Sequence, residues 1–223
     1  MLLYKMDIVL DAIPLSQTSE CNTSNHWDNN IMPTDYLKKL DETYTNKWID
    51  KFHTDYKKII IDDPYHIRWL LRANFAGRLT RSFPKTFVEE RDELVKWLNS
   101  NYGDILKKNI YFIRTENVSL KSGIWGVGPY IDYNTLIDSL VTCRKGHSPF
   151  DNYSLTSLTL YLLPWVSNIR NEFRVFVYKG EIKAISQQNI YRVLYSDKEK
   201  DYLSKLCYIV IDSFYFDIKN KIF

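Results

Sequence analysis

Large apolar residues recur at helical spacing along most of the first half of the chain. Residues 36–52 repeat them every three or four positions, as an amphipathic helix does. Residues 57–63, KKIIIDD, form a short apolar run that predicts a strand, and residues 64–75 return to helical spacing. A further helix is predicted over residues 84–103, so this half of the chain is expected to be mostly helical.

The residues at the ends of these segments support the helix assignments. Pro64 suits the first turn of a helix. Thr86 and Glu89 have the spacing of a capping box, and Gly103 follows the last helical position. We therefore expect Thr86 to cap the helix over 84–103.

Short strand patterns become common after residue 104. Residues 110–114 and 158–165 are apolar runs, and between them residues 131–143 have helical spacing that begins near Asp132 or Asn134. Helices and strands mixed in this order predict an α+β or mixed α/β fold.

Residues 172–188, EFRVFVYKGEIKAISQQ, alternate charged and apolar positions around a glycine turn. The pattern predicts a β-hairpin with a two-residue turn at Lys179 and Gly180. In that register Glu172 pairs with Gln187 and Arg174 pairs with Ile185, so Glu172, Arg174, Lys183 and Gln187 share a face. A bulge at Gly180 would slip the register by one residue and rearrange the faces.

The last segment, residues 198–223, carries apolar residues at helical steps. A β-branched cluster at 209–211 leaves a strand open for part of it.

Composition indicates a folded protein without a strong charge bias. Of the 223 residues 45% are hydrophobic and 15% aromatic, which excludes a disordered chain, and a net charge of +3 is too small to indicate a nucleic-acid partner. Three scattered cysteines favour reduced thiols in the cytoplasm over disulfides or a zinc site. We expect no membrane partner, and the high usage of Lys, Asn, Ile and Tyr favours an AT-rich genome such as that of a protist or a large virus.

One loop has the composition of a phosphate-binding segment. Lys121 is followed by Gly123, Gly126 and Gly128, and glycines let a backbone approach a ligand closely. Arg114 precedes Lys121 by seven residues, at the end of a predicted strand. The loop is not a Walker A motif, so an ordinary loop remains the alternative.

Three segments in order resemble the cell division cycle protein 123 family. They are EFR-x-FV with a turn and I-S-Q, the strand LTLYLLPW before it, and IYFIRTENVSLKSG further upstream. The resemblance covers residues 105–223 and implies an ATP-grasp fold, in which two subdomains enclose a nucleotide cleft. It divides the chain into a mostly helical region, residues 1–104, and an ATP-grasp-like region, residues 105–223.

The resemblance implies roles in nucleotide binding for residues on both sides of that cleft. Arg114 and Lys121 match the family's phosphate-binding lysines, and Arg174 contacts a phosphate from the opposite wall. Glu172 is expected to orient Arg174 or a neighbouring lysine. The backbone near Leu163 and Trp165 reads the adenine edge. The full set of expected nucleotide-binding residues is Arg114, Lys121, Gly123, Gly126, Leu163, Trp165, Glu172, Arg174 and Gln187.

The family's magnesium ligands lie on its final strands, which have no counterpart here. Asp217 in FYFDIKN matches the first ligand only superficially, and no Asp-x-Asn-Pro follows it. We therefore expect a shortened member that binds ATP while lacking the usual carboxylates for Mg²⁺.

Three functions stay open at this point. Relatives bind ATP and assist assembly of eukaryotic translation initiation factor 2 through its γ subunit, so the resemblance implies a chaperone-like assembly factor rather than an enzyme. A protein-binding module without nucleotide is the alternative. An ATP-grasp ligase is the third, although it requires well-held magnesium.

Overall fold

The computed structural model describes residues 41, 43–151, 155–167, 173–178 and 181–187. The chain forms two compact units: residues 38–167 make up one, and residues 1–37 with 168–223 make up the other. Of the described residues, the first unit contains a three-stranded sheet with its helices, and the second contains a hairpin. The predicted segment 198–223 and most of the predicted helix 36–52 before Thr45 lie outside the described residues.

The described elements follow one another in the order helix, strand, three helices, strand, helix and three strands. They are α1 (Thr45–Phe52), β1 (Lys57–Ile61), α2 (Pro64–Thr80), α3 (Val88–Tyr102), α4 (Ile105–Lys108), β2 (Tyr111–Arg114), α5 (Tyr133–Thr142), β3 (Leu158–Pro164), β4 (Phe173–Tyr178) and β5 (Glu181–Gln187). This mixture confirms the expected α+β class. The division at residue 104 stays a prediction, and the sheet takes β1 from before it and β2 and β3 from after it.

The sheet is antiparallel with β3 in its centre, in the order β1-β3-β2. Its two faces differ because side chains alternate along each strand. One face is fully apolar and forms the main core with α2, α3 and α5. Its strand residues include Ile59, Ile61, Ile113, Leu160 and Leu162, all with no exposed surface.

Helix α1 covers part of the opposite face of the sheet. Ile49 of α1 is buried against Tyr161 and Leu163 of β3, and Trp48, Tyr56 and Phe112 pack around them. This second, smaller cluster brings the start of α1 to the end of β2, where the candidate site residue Arg114 lies.

Helix α2 begins as predicted and ends later than predicted. Asp63 caps it by accepting a hydrogen bond from the Tyr65 N–H, with Pro64 in the first turn. The helix continues through Gly77, where a Cβ would lie 2.6 Å from Val141 Cγ1, so the glycine permits close packing of α2 on α5. It ends at Arg81 in the left-handed conformation, with φ of 56°.

The cap predicted for the next helix is wrong, and α5 begins after Asp132, one of the two residues expected near its start. Thr86 lies in a 3₁₀ turn, Lys85–Phe87, and α3 begins after Phe87 without a side-chain cap. At α5, Asp132 accepts a hydrogen bond from the Thr135 N–H. Gly103 follows α3 with φ of 59°, as predicted. The single-turn helix α4 was not predicted.

The hairpin is confirmed, and its predicted register is wrong over most of its length. Tyr178↔Glu181 and Val177↔Ile182 follow the two-residue turn, but the next pair is Phe176↔Ala184. Lys183 is the extra residue of a bulge, so every later pair is shifted by one. Gln187 therefore pairs with Phe173, not Glu172, and Arg174 pairs with Ser186, not Ile185.

Within the part of the chain that the structure describes, every helix falls short of the length or apolarity that a membrane crossing requires.

Candidate functional site

Two basic residues flank one tyrosine on the α1 side of the sheet. Tyr161 of the central strand pairs with Lys58 on β1 and with Arg114 on β2. Residues paired across antiparallel strands present their side chains to the same face. The Lys58 ammonium lies 5.4 Å from the centroids of both the Tyr161 and the Tyr56 rings. We call Lys58, Tyr161 and Arg114 the basic row.

The Arg114 guanidinium is held in place by α1. Its Nε donates a hydrogen bond of 2.9 Å to the hydroxyl of Thr45, and its Cζ lies 4.7 Å from the Trp48 ring centroid. Partial burial lowers the pKa of Arg114, and the nearby Glu116 carboxylate opposes that shift. Because arginine stays protonated in proteins, this is a fixed, partly desolvated positive charge.

Glu116 is the acidic residue nearest the basic row, and its carboxylate has other partners. One oxygen accepts a hydrogen bond from the Tyr161 hydroxyl, and the other accepts one of 3.1 Å from the Asn46 N–H. Burial, and then Glu116, raise the pKa of Tyr161, so its hydroxyl remains a donor. Among the described residues neither Lys58 nor Arg114 has a carboxylate at ion-pair distance.

The chain reverses directly after Arg114. The Thr115 N–H donates to the Val118 carbonyl at 2.7 Å, and Ser119 forms a backbone bridge with Arg114. A 3₁₀ turn, Leu120–Ser122, follows and leaves the Lys121 side chain exposed. The strand end and the predicted second cation therefore belong to one local turn.

The glycine loop, residues 120–130, uses most of its backbone donors within the chain. The Gly123 N–H donates to the Leu120 carbonyl, and the Gly126 N–H donates to the Gly123 carbonyl. The Gly128 N–H donates to the Trp125 carbonyl. The Ile124 and Trp125 N–H groups donate to the hydroxyls of Thr142 and Ser139 on α5. Three of these five donors thus hold the loop's own turns, and the other two fix the loop on α5.

Packing and backbone conformation account for two of the predicted site glycines. A Cβ at Gly123 would lie 2.6 Å from the Ser139 carbonyl oxygen, so only glycine lets the loop lie this close to α5. Gly126 has φ of +62°, a left-handed conformation that favours glycine. Arg81 also holds this loop, because its guanidinium donates to the carbonyls of Ser122 and Thr142.

The two predicted adenine-edge residues lie at the end of the central strand. The Leu163 side chain is buried against α1, and the Trp165 N–H donates to the Ile110 carbonyl at 3.1 Å. On the β1 side the last pair is Lys57↔Leu162, so β3 runs on beyond its neighbour there. Among the described residues, Leu163 therefore has a strand partner on the β2 side only.

The remaining predicted site residues belong to the other unit. Glu172 lies outside the described residues, and Arg174 and Gln187 are described only as backbone in β4 and β5. The expectation that Arg174 and Gln187 share a face of the hairpin rested on the unshifted register. It is wrong, because the residue opposite Gln187 is Phe173, the neighbour of Arg174.

A cavity of about 150 Å³ lies away from all of these residues, between α3, α4 and α5. It is lined by Val95, Asn99, Asp104, Leu106, Lys107, Asp132, Tyr133 and Asn134. Among the described residues no group of three or more His, Cys, Asp or Glu side chains is placed to hold a metal ion.

Sequence reasoning missed the partners that define the basic row. Lys58 could have been found from the alternation in KKIII, which places it on the face opposite Ile59 and Ile61. Tyr161 and Thr45 carry no local signal, because their roles depend on contacts with residues far away in the sequence.

Comparisons with protein-family models, curated proteins and solved structures gave no match to this chain.

Proposed function

We propose that the chain binds ATP and acts as a chaperone-like assembly factor resembling the cell division cycle protein 123 family. The observation that carries the nucleotide part is the basic row, where Lys58 and Arg114 flank Tyr161 without a carboxylate partner among the described residues. Two such cations on one sheet face suit a polyphosphate, which needs several charge-assisted contacts.

The cations differ in how they would act. Arg114 is oriented in advance by Thr45 and Trp48, so its guanidinium loses little freedom when a phosphate binds. Lys58 and Lys121 are exposed and can adjust to the ligand. Arg174 contributes a further phosphate contact in this proposal, as the family pattern implies.

The protein partner in this proposal is the γ subunit of eukaryotic translation initiation factor 2, in the cytoplasm. Its support is the order of the three family-like segments, two of which contain the strands β2 and β3 and the third the hairpin. Capture of that subunit by the purified chain tests this part separately from ATP binding.

Calorimetric titration with ATP tests the nucleotide part. We expect saturable binding, and we expect Lys58→Ala and Arg174→Ala each to weaken it by roughly 10- to 100-fold, since a charge-assisted phosphate contact contributes about 1.5–3 kcal/mol. Lys96→Ala, which removes an exposed charge from α3, is the matched control. An ATP affinity that is unchanged in both variants would contradict the proposed nucleotide site.

A protein-binding module without nucleotide is the second candidate, and the glycine loop favours it. Five of its N–H groups are engaged within the chain, while Ile124, Trp125 and Val127 are each about half exposed. A rigid loop that presents apolar side chains suits a protein surface better than a phosphate. Capture of a protein partner without any ATP binding would establish this candidate. A ligase would instead release ADP only when an acceptor amine is added.

A further inference from the structure

One face of α2 carries four exposed residues in a straight line. Arg68, Arg72, Phe75 and Leu79 lie within about 60° of each other around the axis, at about 100° per residue, and span about 16 Å. The opposite face, with Ile67, Leu70 and Ala73 among others, is buried in the main core. We call these four residues the α2 stripe.

The apolar half of the α2 stripe is unusually open. Phe75 is 58% exposed and Leu79 is 72% exposed. The Phe75 ring is held outward under Arg78, whose guanidinium carbon lies 5.1 Å from the ring centroid and whose Nη1 pairs with Asp151 at 3.4 Å. The ring is therefore fixed on the surface rather than packed into the core.

The basic half of the α2 stripe consists of two exposed arginines. Arg68 and Arg72 lie one turn apart on the same face, where like charges repel. Neither has an ion pair among the described residues. Of the acidic groups near this helix, Asp63, Glu90 and Glu93 act on Tyr65 at its first turn, and Asp151 pairs with Arg78.

The spacing of the α2 stripe points to the shape of its partner. Steps of four, three and four residues are those of the seam along which one helix packs on another. The stripe has apolar residues at one end and two arginines at the other. A complementary partner would present apolar side chains and carboxylates on one face.

We propose that the α2 stripe docks an acidic, amphipathic helix of a partner protein. Apolar side chains of that helix cover Phe75 and Leu79, and its carboxylates pair with Arg68 and Arg72. The proposal is independent of ATP binding, because none of these residues belongs to the candidate nucleotide site.

Fluorescence anisotropy with the full chain tests the proposal. The probe is a labelled synthetic helical peptide with leucines at seam positions and glutamates beside them. We expect saturable binding that weakens about tenfold or more in the Arg68→Glu/Arg72→Glu double variant, since opposed like charges disfavour the complex. Leu79→Ser should weaken binding as well. Lys96→Glu, an exposed charge reversal on α3, should leave it unchanged.

Three results would overturn the proposal. The first is equal binding of a scrambled peptide of the same composition, which would mean that no helical face is recognised. The second is absence of binding, or binding that Arg68→Glu/Arg72→Glu and Leu79→Ser leave unchanged. The third is self-association of the chain in light scattering that Leu79→Ser abolishes, because the occupant would then be a second copy. All four substituted side chains are exposed, so denaturation midpoints should confirm that the variants are folded.

Discussion

At the scale of single residues, two glycines of the glycine loop are required for different physical reasons. Gly123 has ordinary backbone angles, with φ of −72°, and is required by the backbone of Ser139 beside it. A Cβ at Gly126 would have no atom within 4 Å, so glycine is favoured there only by the left-handed backbone, with φ of +62°. The two positions should therefore respond differently to substitution.

We predict that Gly123→Ala lowers the free energy of unfolding by about 2 kcal/mol or more, because the new methyl group overlaps backbone atoms of α5 that cannot rotate away. Gly126→Asn should cost less than about 1 kcal/mol, since asparagine tolerates the left-handed region. Urea denaturation measures both. Equal costs at the two positions would contradict the assigned causes.

His66 provides a second test at this scale. Its Nδ1 accepts a hydrogen bond of 3.2 Å from the Trp69 Nε1–H, and the ring is buried. Burial lowers the pKa of His66 from its ordinary value of 6.5, while Asp63 and Glu93 act in the opposite direction. The unfolded chain therefore takes up this proton at a higher pH than the folded chain does.

The contribution of His66 to the free energy of unfolding should consequently be fully present above pH 6.5. It should fall as the pH decreases from 6.5 to the folded-state pKa, and then level off. We predict that His66→Gln flattens this part of the stability profile. Identical profiles for His66→Gln and the parent chain would contradict the assignment.

At the scale of elements, local patterns predicted where most helices and strands lie. Pro64 after Asp63 marked the start of α2, and Asp132 marked the start of α5. The cap prediction at Thr86 was wrong because Thr86 lies inside the 3₁₀ turn Lys85–Phe87, and α3 begins only after that turn. The hairpin turn was predictable from Lys179 and Gly180, but the place of the bulge at Lys183 was not, since the break in alternation at Ala184 and Ile185 fits more than one position.

The docking of α1 on the sheet depends on one buried hydroxyl. Thr45 Oγ1 lies 2.6 Å from the Thr115 carbonyl oxygen and 2.9 Å from that of Glu116, and it accepts from Arg114 Nε. We predict that Thr45→Val destabilises the fold by about 1–3 kcal/mol, because buried polar partners lose their bond. Chemical denaturation should show a smaller loss for Thr45→Ser, which keeps the hydroxyl. A harmless Thr45→Val would mean that the hydroxyl contributes little to holding α1, which would then depend on apolar contacts and on the backbone bonds from Thr45 and Asn46 to Glu116.

At the scale of the whole molecule, the candidate site was predictable only in part. Arg114 and Lys121 stood out because they are close in sequence and lie in one local turn. Lys58 reaches the same sheet face through β1, whose pairing with β3 joins residues about a hundred positions apart. Such a non-local pairing leaves no trace in a single sequence, so the basic row emerged only from the fold.

The effect of metal ions on ATP binding also belongs to this scale. If ATP binds through the basic row without magnesium carboxylates, excess EDTA should change its affinity by less than about tenfold. Calorimetric titrations with and without Mg²⁺ measure this. A complete loss of binding in EDTA would contradict the expected metal independence and would indicate carboxylate ligands that act through the metal.

The melting temperature of the chain in the presence of ATP is the most direct test of nucleotide binding. A ligand that binds only the folded state adds about 2.7 kcal/mol to stability at a hundred times its dissociation constant. We predict that millimolar ATP raises the melting temperature of the parent chain and of Lys96→Ala, and raises it much less in Lys58→Ala. A melting temperature that ATP leaves unchanged in the parent chain would contradict the proposal that it binds nucleotide.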